Sequence, residues 1–434
     1  MLLKKAALFI TCILSFQAYC QNDKVVSWIN SNAIKIDNAS PDTELSYFKN
    51  NAPEKFKNAK IFGFGEASHH GKEFFDIKAK FFKYLVQTQN VKVFIIEDSY
   101  TAESGINKWI SGGEGDIETI DENFKIVPWK CKEVVNLLKW MREYNLNKTE
   151  DQQIRFYGMD IQNVDNINFQ IRELVNNYDI PVSEDLLVEL DRSTEKKVDY
   201  EKTTDWADIQ MPKLEEIQSI LVNFQSRDSN LNDAEFYSAI RALNYLKKYT
   251  YFIQNHYSQD RDLKMFENVK WIVENLSKNS KAFIWAHNEH INYRGFGNYS
   301  RRNIYNLGKY LKEYYNDDYY SVGFDFGIGT LGGYVFKKDK SIEWKNYQMS
   351  EPYPGSYAKT LVETKDDIYF IDMQMALNDK SINFFNQKAK QIMLGGPGYN
   401  PDNVTLFKKK FSEMYDGLIF IKNISVADYG WNSN

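Results

Sequence analysis

Five histidines are spread over this chain, and four of them fall in two short motifs: His69 and His70 in GEASHHGKEFF, and His287 and His290 in WAHNEHI. Carboxylates accompany them. Glu66 and Glu73 flank the first pair, Glu97 and Asp98 close VFIIEDS, and Asp160 closes FYGMD. A histidine beside a carboxylate can keep its proton on one ring nitrogen and take a proton from water with the other. A carboxylate such as Glu97 would fix that tautomer, and a second histidine would steady the oxyanion that forms on an attacked carbonyl. This is the equipment of a hydrolase that activates water without a covalent nucleophile. Of the adjacent His69 and His70, one is expected to point inward. The same groups also suit Zn, Mn or Fe. A metal-dependent hydrolase or peptidase therefore stays open, as does an exported binding protein that keeps the pocket without catalysis.

Other chemistries lack their signatures. No G-x-S-x-G elbow is present for a serine hydrolase, and no H-E-x-x-H for a zincin. Gly63-Phe64-Gly65 has no third glycine, and Glu66 would repel a pyrophosphate. The Glu66-x-x-His69 spacing occurs once, in a loop, whereas a di-iron site needs two copies on long helices.

The elements that must position these groups read as strands and helices in alternation. IFGF runs into the GEASHH loop, and Phe74, Ile77, Phe81, Phe82 and Leu85 then recur at helical spacing. VKVFIIEDS, IRFYGMD and KAFIW are continuous apolar runs, as expected of strands buried on both faces of a parallel sheet. Each ends in acid or histidine groups, which places them along one edge of the sheet, where open α/β sheets put their chemistry. The expected fold class is α/β, a mostly parallel central sheet with flanking helices, an inserted helical bundle and a small α+β subdomain. The boundaries read as a leader over 1–20, a first part of the core over 21–163 and a helical insert over 164–276. The core resumes over 277–331, an α+β subdomain covers 332–384, and a C-terminal return to the core covers 385–434. The last segment of the insert carries Arg261, Asp262 and Asn268 within about two turns of helix. His256, also on the insert, reads as structural.

The net charge of −5 gives no case for nucleic acid or an anionic membrane as partner. Lys4 and Lys5, the apolar run from Ala6 to Phe16 and the small residues Ala18 and Cys20 read as a secretory signal cleaved after Cys20. The expected protein is exported, periplasmic or extracellular, with acylation of a retained Cys20 as the lesser alternative. Cys131 would then stand alone, a small packed residue rather than a nucleophile.

GEASHHGKEFF, VFIIEDS, VPWKCKEVVNLLKWMREYN, FYGMDIQ, RDLKMFENVKW, WAHNEHI and DGLIFI, in this order, resemble the erythromycin esterase family. The resemblance runs from about residue 60 to the C-terminus. It implies an α/β core with an inserted helical bundle, and hydrolysis of the lactone ester of macrolide antibiotics without a metal or other cofactor. Antibiotic resistance would follow from that activity. It also implies His69 as the base that activates water, with Glu66 beside it and Glu73 on the following helix. Glu97 would sit at the next strand's end, with His287 and His290 completing the pocket for a small-molecule ester. Two positions depart from the macrolide-hydrolysing pattern: His70 stands where an aromatic is usual, and Lys78 stands in place of an arginine, keeping the charge without the bidentate fork.

Overall fold

A computed structural model of the chain describes residues 22–117, 123–195, 205–227, 233–254, 260–277, 279–295, 305–337, 341–402 and 404–430. The leader read over 1–20 and His256 lie outside these residues. Two compact units emerge. The first takes the chain up to Val91, Cys131–Leu137 and Phe283 onward; the second holds Lys92–Lys130 and Leu138–Ala282.

The strands are β1 (Ile34–Lys35), β2 (Ile61–Phe64), β3 (Val91–Ser99), β4 (Arg155–Asp160), β5 (Lys281–Trp285), β6 (Tyr319–Phe336), β7 (Ile342–Met349), β8 (Ile368–Asp372), β9 (Ala389–Ile392), β10 (Leu406–Lys409) and β11 (Gly417–Ile424). In the first unit they run in the order β1-β8-β11-β6-β2-β5, with β7 paired to β6. β2 and β11 both lie parallel to β6, and the outer pairs β1/β8, β8/β11 and β6/β7 are antiparallel. β9 and β10 form a separate antiparallel pair. The fold is α/β, a central sheet flanked by helices, as the alternation of apolar runs and helical spacing implies.

β2 is short and wholly buried. An apolar run of this kind belongs in mid-sheet, where both faces are covered. Phe64 stacks on Phe283 at 4.9 Å and meets Phe81 of the next helix at 5.1 Å. That helix, Lys72–Gln89, buries Phe74, Ile77, Phe81, Phe82 and Leu85, the residues whose spacing predicted it. It ends at Asn90, which adopts a left-handed φ of 56° and gives its N–H to the Leu85 carbonyl. The run YYSVGFDFGIGTL and the alternating YVF stretch after it are one strand, β6. Gly329 sits within it at φ +141°, with the Ile424 carbonyl where a Cβ would be.

In the second unit β3 and β4 are parallel, with an irregularity between Ile96 and Ser99. The helices Ile167–Asn177, Glu184–Glu195, Trp206–Gln225, Asp233–Gln254 and Arg261–Leu276 follow. Their inward residues, among them Ile171, Leu190, Leu214, Ile217, Leu221, Leu243 and Leu246, form one apolar core. No helix among the described residues is long and apolar enough to cross a membrane.

Candidate active site

The two histidine motifs meet in the first unit. Past the end of β5 the chain continues alongside the loop after β2: Ala286 N–H donates to the Phe64 carbonyl at 3.2 Å, and Asn288 N–H to the Glu66 carbonyl at 3.0 Å. The Asn288 side chain then grips β6, donating to the Phe324 carbonyl at 2.7 Å and accepting from Phe324 N–H at 3.0 Å. This close approach explains Gly65, because a Cβ there would lie 2.1 Å from Asn288 Oδ1. Backbone pairing therefore sets the spacing of the two loops before any side chain acts.

Glu66 is fully buried and holds two partners. Its Oε1 lies 2.6 Å from His69 Nδ1, and its Oε2 accepts from the Lys78 ammonium. A carboxylate can only accept, so His69 carries its proton on Nδ1 and presents Nε2 as the basic nitrogen. Lys78, with no exposed surface, also sits 4.0 Å from the centre of the Trp285 ring. One hydrogen-bonded row thus runs from the helix to the loop, Lys78 to Glu66 to His69.

His287 faces His69, with ring centroids 4.8 Å apart and planes at 47°. It caps the short helix Asn288–Ile291, its Nδ1 accepting from Glu289 N–H at 3.2 Å. Because a backbone N–H can only donate, the neutral His287 ring carries its proton on Nε2. The two rings are therefore complementary, one offering a lone pair and the other an N–H.

His70 has a different environment. Its Nε2 donates to the Gly396 carbonyl at 2.8 Å, and its Nδ1 accepts from the Tyr429 hydroxyl at 2.8 Å. Trp344 meets its ring edge-on at 4.7 Å. Burial pushes its pKa down to about 4, so it stays neutral and serves as an anchor. Glu73, in the first turn of the helix after the loop, accepts from Ser425 N–H at 2.6 Å and Ser425 Oγ at 2.7 Å. It ties the site helix to the end of β11. His290 is buried on the short helix, its N–H on the His287 carbonyl at 3.0 Å. Glu289 beside it pairs with Lys409 at 2.8 Å.

Within the second unit, hydrogen bonds hold the acids at the ends of β3 and β4. Arg261 forks onto Asp160, Nη2 to Oδ2 at 2.6 Å and Nε to Oδ1 at 2.9 Å, and Nη2 reaches Glu97 Oε1 at 3.1 Å. Asp98 accepts from the backbone N–H groups of Lys125 at 2.9 Å and Ile126 at 3.2 Å, and burial raises its pKa to about 7. Cys131, in the first unit, is buried and its thiol pKa is pushed up by that burial, so it is no ready nucleophile.

Among the described residues no three of His, Cys, Asp and Glu come together as a metal-binding set. Three contributors escaped sequence reasoning: Asn288, Trp285 and Tyr429. The first two stand inside WAHNEHI, and the loop's missing side chain at Gly65 was the available signal for Asn288. Tyr429 carries no local signal.

Known proteins share this arrangement of elements. The chain is 24% identical to erythromycin esterase type II of Escherichia coli over 366 residues, covering 77% of this chain and 85% of that protein. A crystal structure of a Bacillus cereus protein superposes with a TM-score of 0.81 at 23% identity, covering 94% of this chain and 99% of the other. An erythromycin esterase mutant, EreC, in its open conformation gives a TM-score of 0.61 at 15% identity over 91% of this chain and 98% of its own. The family model described as erythromycin esterase matches residues 86–424, most of the chain, and this protein belongs to the erythromycin esterase family, whose membership supports a hydrolase of the esterase type.

Proposed function

We propose that this protein cleaves a carboxylic ester with water activated at His69, and that the lactone of a macrolide antibiotic is the first substrate to try. The observation that carries this reading is the 2.6 Å contact between Glu66 Oε1 and His69 Nδ1, set opposite His287. His69 Nε2 takes a proton from water as the water oxygen bonds to the ester carbonyl carbon. The oxyanion accepts from His287 Nε2–H, which costs little reorganisation because the cap already fixes that tautomer. Collapse breaks the carbon–oxygen ester bond, and the His69 proton passes to the departing alkoxide. No covalent acyl-enzyme and no metal enters this route.

The test is to incubate the purified protein with a panel of macrolides and simple esters in 18O-labelled water and follow products by mass. One 18O in the acid product, activity that survives a chelator, and its loss in His69→Ala support the reading. Chelator-sensitive turnover with bound metal would replace it by a metal-dependent hydrolase or peptidase. Binding of a panel member without turnover would replace it by a binding protein. We also propose export, supported by the Lys4–Cys20 sequence; an N-terminus at Gln21 in protein recovered from its source checks this.

A further inference from the structure

Away from the histidines, the second unit holds a cavity of about 490 Å3 between the helices Trp206–Gln225, Asp233–Gln254 and Arg261–Leu276. That is the size of a small-molecule site. Among the described residues four cations line it, Arg241, Lys247, Lys248 and Lys264, with the aromatic rings of Tyr251 and Trp271 alongside.

Among the described residues, the carboxylates paired with these four cations are three, Glu103, Glu215 and Glu267. Arg241 is held by buried Glu103, Nη2 to Oε2 at 3.0 Å, and its guanidinium lies 5.1 Å from the Trp271 ring centre. Lys247 approaches Glu215 at 3.8 Å. Lys248 and Lys264 share Glu267, at 3.7 Å and 3.1 Å. Lys248 donates a hydrogen bond to Asn268 Oδ1, a neutral group, at 3.0 Å, and burial lowers its pKa. A cation drawn out of water while sharing its counter-ion costs stability that an incoming anion would restore. The aromatic rings beside it offer flat apolar surface, which a bare inorganic ion would not use.

We propose that this cavity binds a small organic anion bearing an aromatic ring, its charged group between Lys248 and Lys264 and its ring against Trp271 and Tyr251. A carboxylate and a phosphate share that chemistry, and separate probes distinguish them. Benzoate, phenyl phosphate and benzamide are titrated into the full-chain protein by calorimetry. Saturable binding of benzoate or phenyl phosphate is expected, with neutral benzamide about tenfold weaker or worse, the size of one lost charge-assisted contact. Lys248→Met and Lys264→Met should each weaken the anion by a similar factor. Crystals soaked with 4-bromobenzoate give a readout independent of variant folding, a bromine anomalous peak beside Trp271. Benzamide binding as tightly as benzoate, anion binding unchanged in both variants, a bromine peak elsewhere only, or no saturable binding by any probe would overturn the assignment.

Discussion

His69 and His287 stand 4.8 Å apart, ring centre to ring centre, with their protons held on opposite ring positions by opposite kinds of partner. A carboxylate receives the Nδ1 proton of His69, and a backbone N–H points at Nδ1 of His287. The expected consequence is an unequal response to substitution. His69→Ala should remove about 10³-fold or more of kcat, since it deletes the proposed base, whereas His287→Gln, which keeps an N–H donor, should lose about 10²-fold. Steady-state kinetics on whichever ester the panel identifies would check both. Equal losses would mean that the rings do not divide the work in this way.

Glu66 supports His69 and neutralises Lys78 at once, which makes the two partners separable by a double-mutant cycle. Lys78→Met leaves a buried carboxylate without its counter-ion and should cost about 3–5 kcal/mol in denaturant unfolding. Glu66→Gln with Lys78→Met removes both charges and should recover most of that stability. Activity should not recover, because a glutamine cannot stabilise the imidazolium that the proposed route requires, and a drop of about 10²–10⁴ in kcat is expected.

His70 makes stability fall on acidification. Burial depresses its pKa from 6.5 to about 4, so below pH 6.5 the unfolded chain takes up a proton that the folded chain refuses. Stability is complete above 6.5 and declines as pH drops toward 4, by roughly 1.4 kcal/mol per pH unit at the steepest. His70→Gln should lack this slope in urea midpoints measured from pH 7 to 4.5.

Asp325 on β6 acts in the opposite sense. Burial raises its pKa from 3.8 to about 8, while its Oδ1 accepts from Phe326 N–H at 3.0 Å. Between those values the unfolded chain ionises first, so this residue's contribution falls as pH rises. Asp325→Asn should therefore gain stability relative to the parent, about 1 kcal/mol or more, on going from pH 5 to pH 8. An unchanged difference across that range would contradict the assignment.

Gly65→Ala tests the backbone lock. The added methyl would meet Asn288 Oδ1 at 2.1 Å and push that side chain off Phe324. A loss of about 1–3 kcal/mol is expected from overpacking. The Glu66–His69 pair sits on the next turn of the same loop, so kcat should fall with it.

Much of this was legible from local pattern. β2, β3, β4 and β5 announce themselves as unbroken apolar runs, because a strand covered on both faces has no polar side to show. The helix after the loop showed its face through Phe74, Ile77, Phe81 and Phe82. That GEASHH and WAHNEH would meet could be inferred from strand ends sharing an edge. The division of roles within the loops could not. His69 and His70 are adjacent and identical, and what separates them is Tyr429 and Gly396, both more than 300 residues away. The same holds for Glu73, whose partner Ser425 lies 352 residues on. Likewise Glu97 accepts from Arg261, 164 residues on. Such pairings depend on topology, which spacing does not encode.

β11 has a consequence for the order in which the protein can assemble. It lies against β6, and the residues just after it, Ser425 and Tyr429, hold Glu73 and His70 in place. The loop that carries His69 is translated well before the clasp that fixes it: Ser425 follows Glu73 by 352 residues and Tyr429 follows His70 by 359. A nascent chain with only its first two hundred residues free has the sequence of the site without its geometry. Closing so long a loop makes folding slow and late, and a chain shortened before Ser425 should keep both histidine motifs and lose the contacts that hold Glu73 and His70.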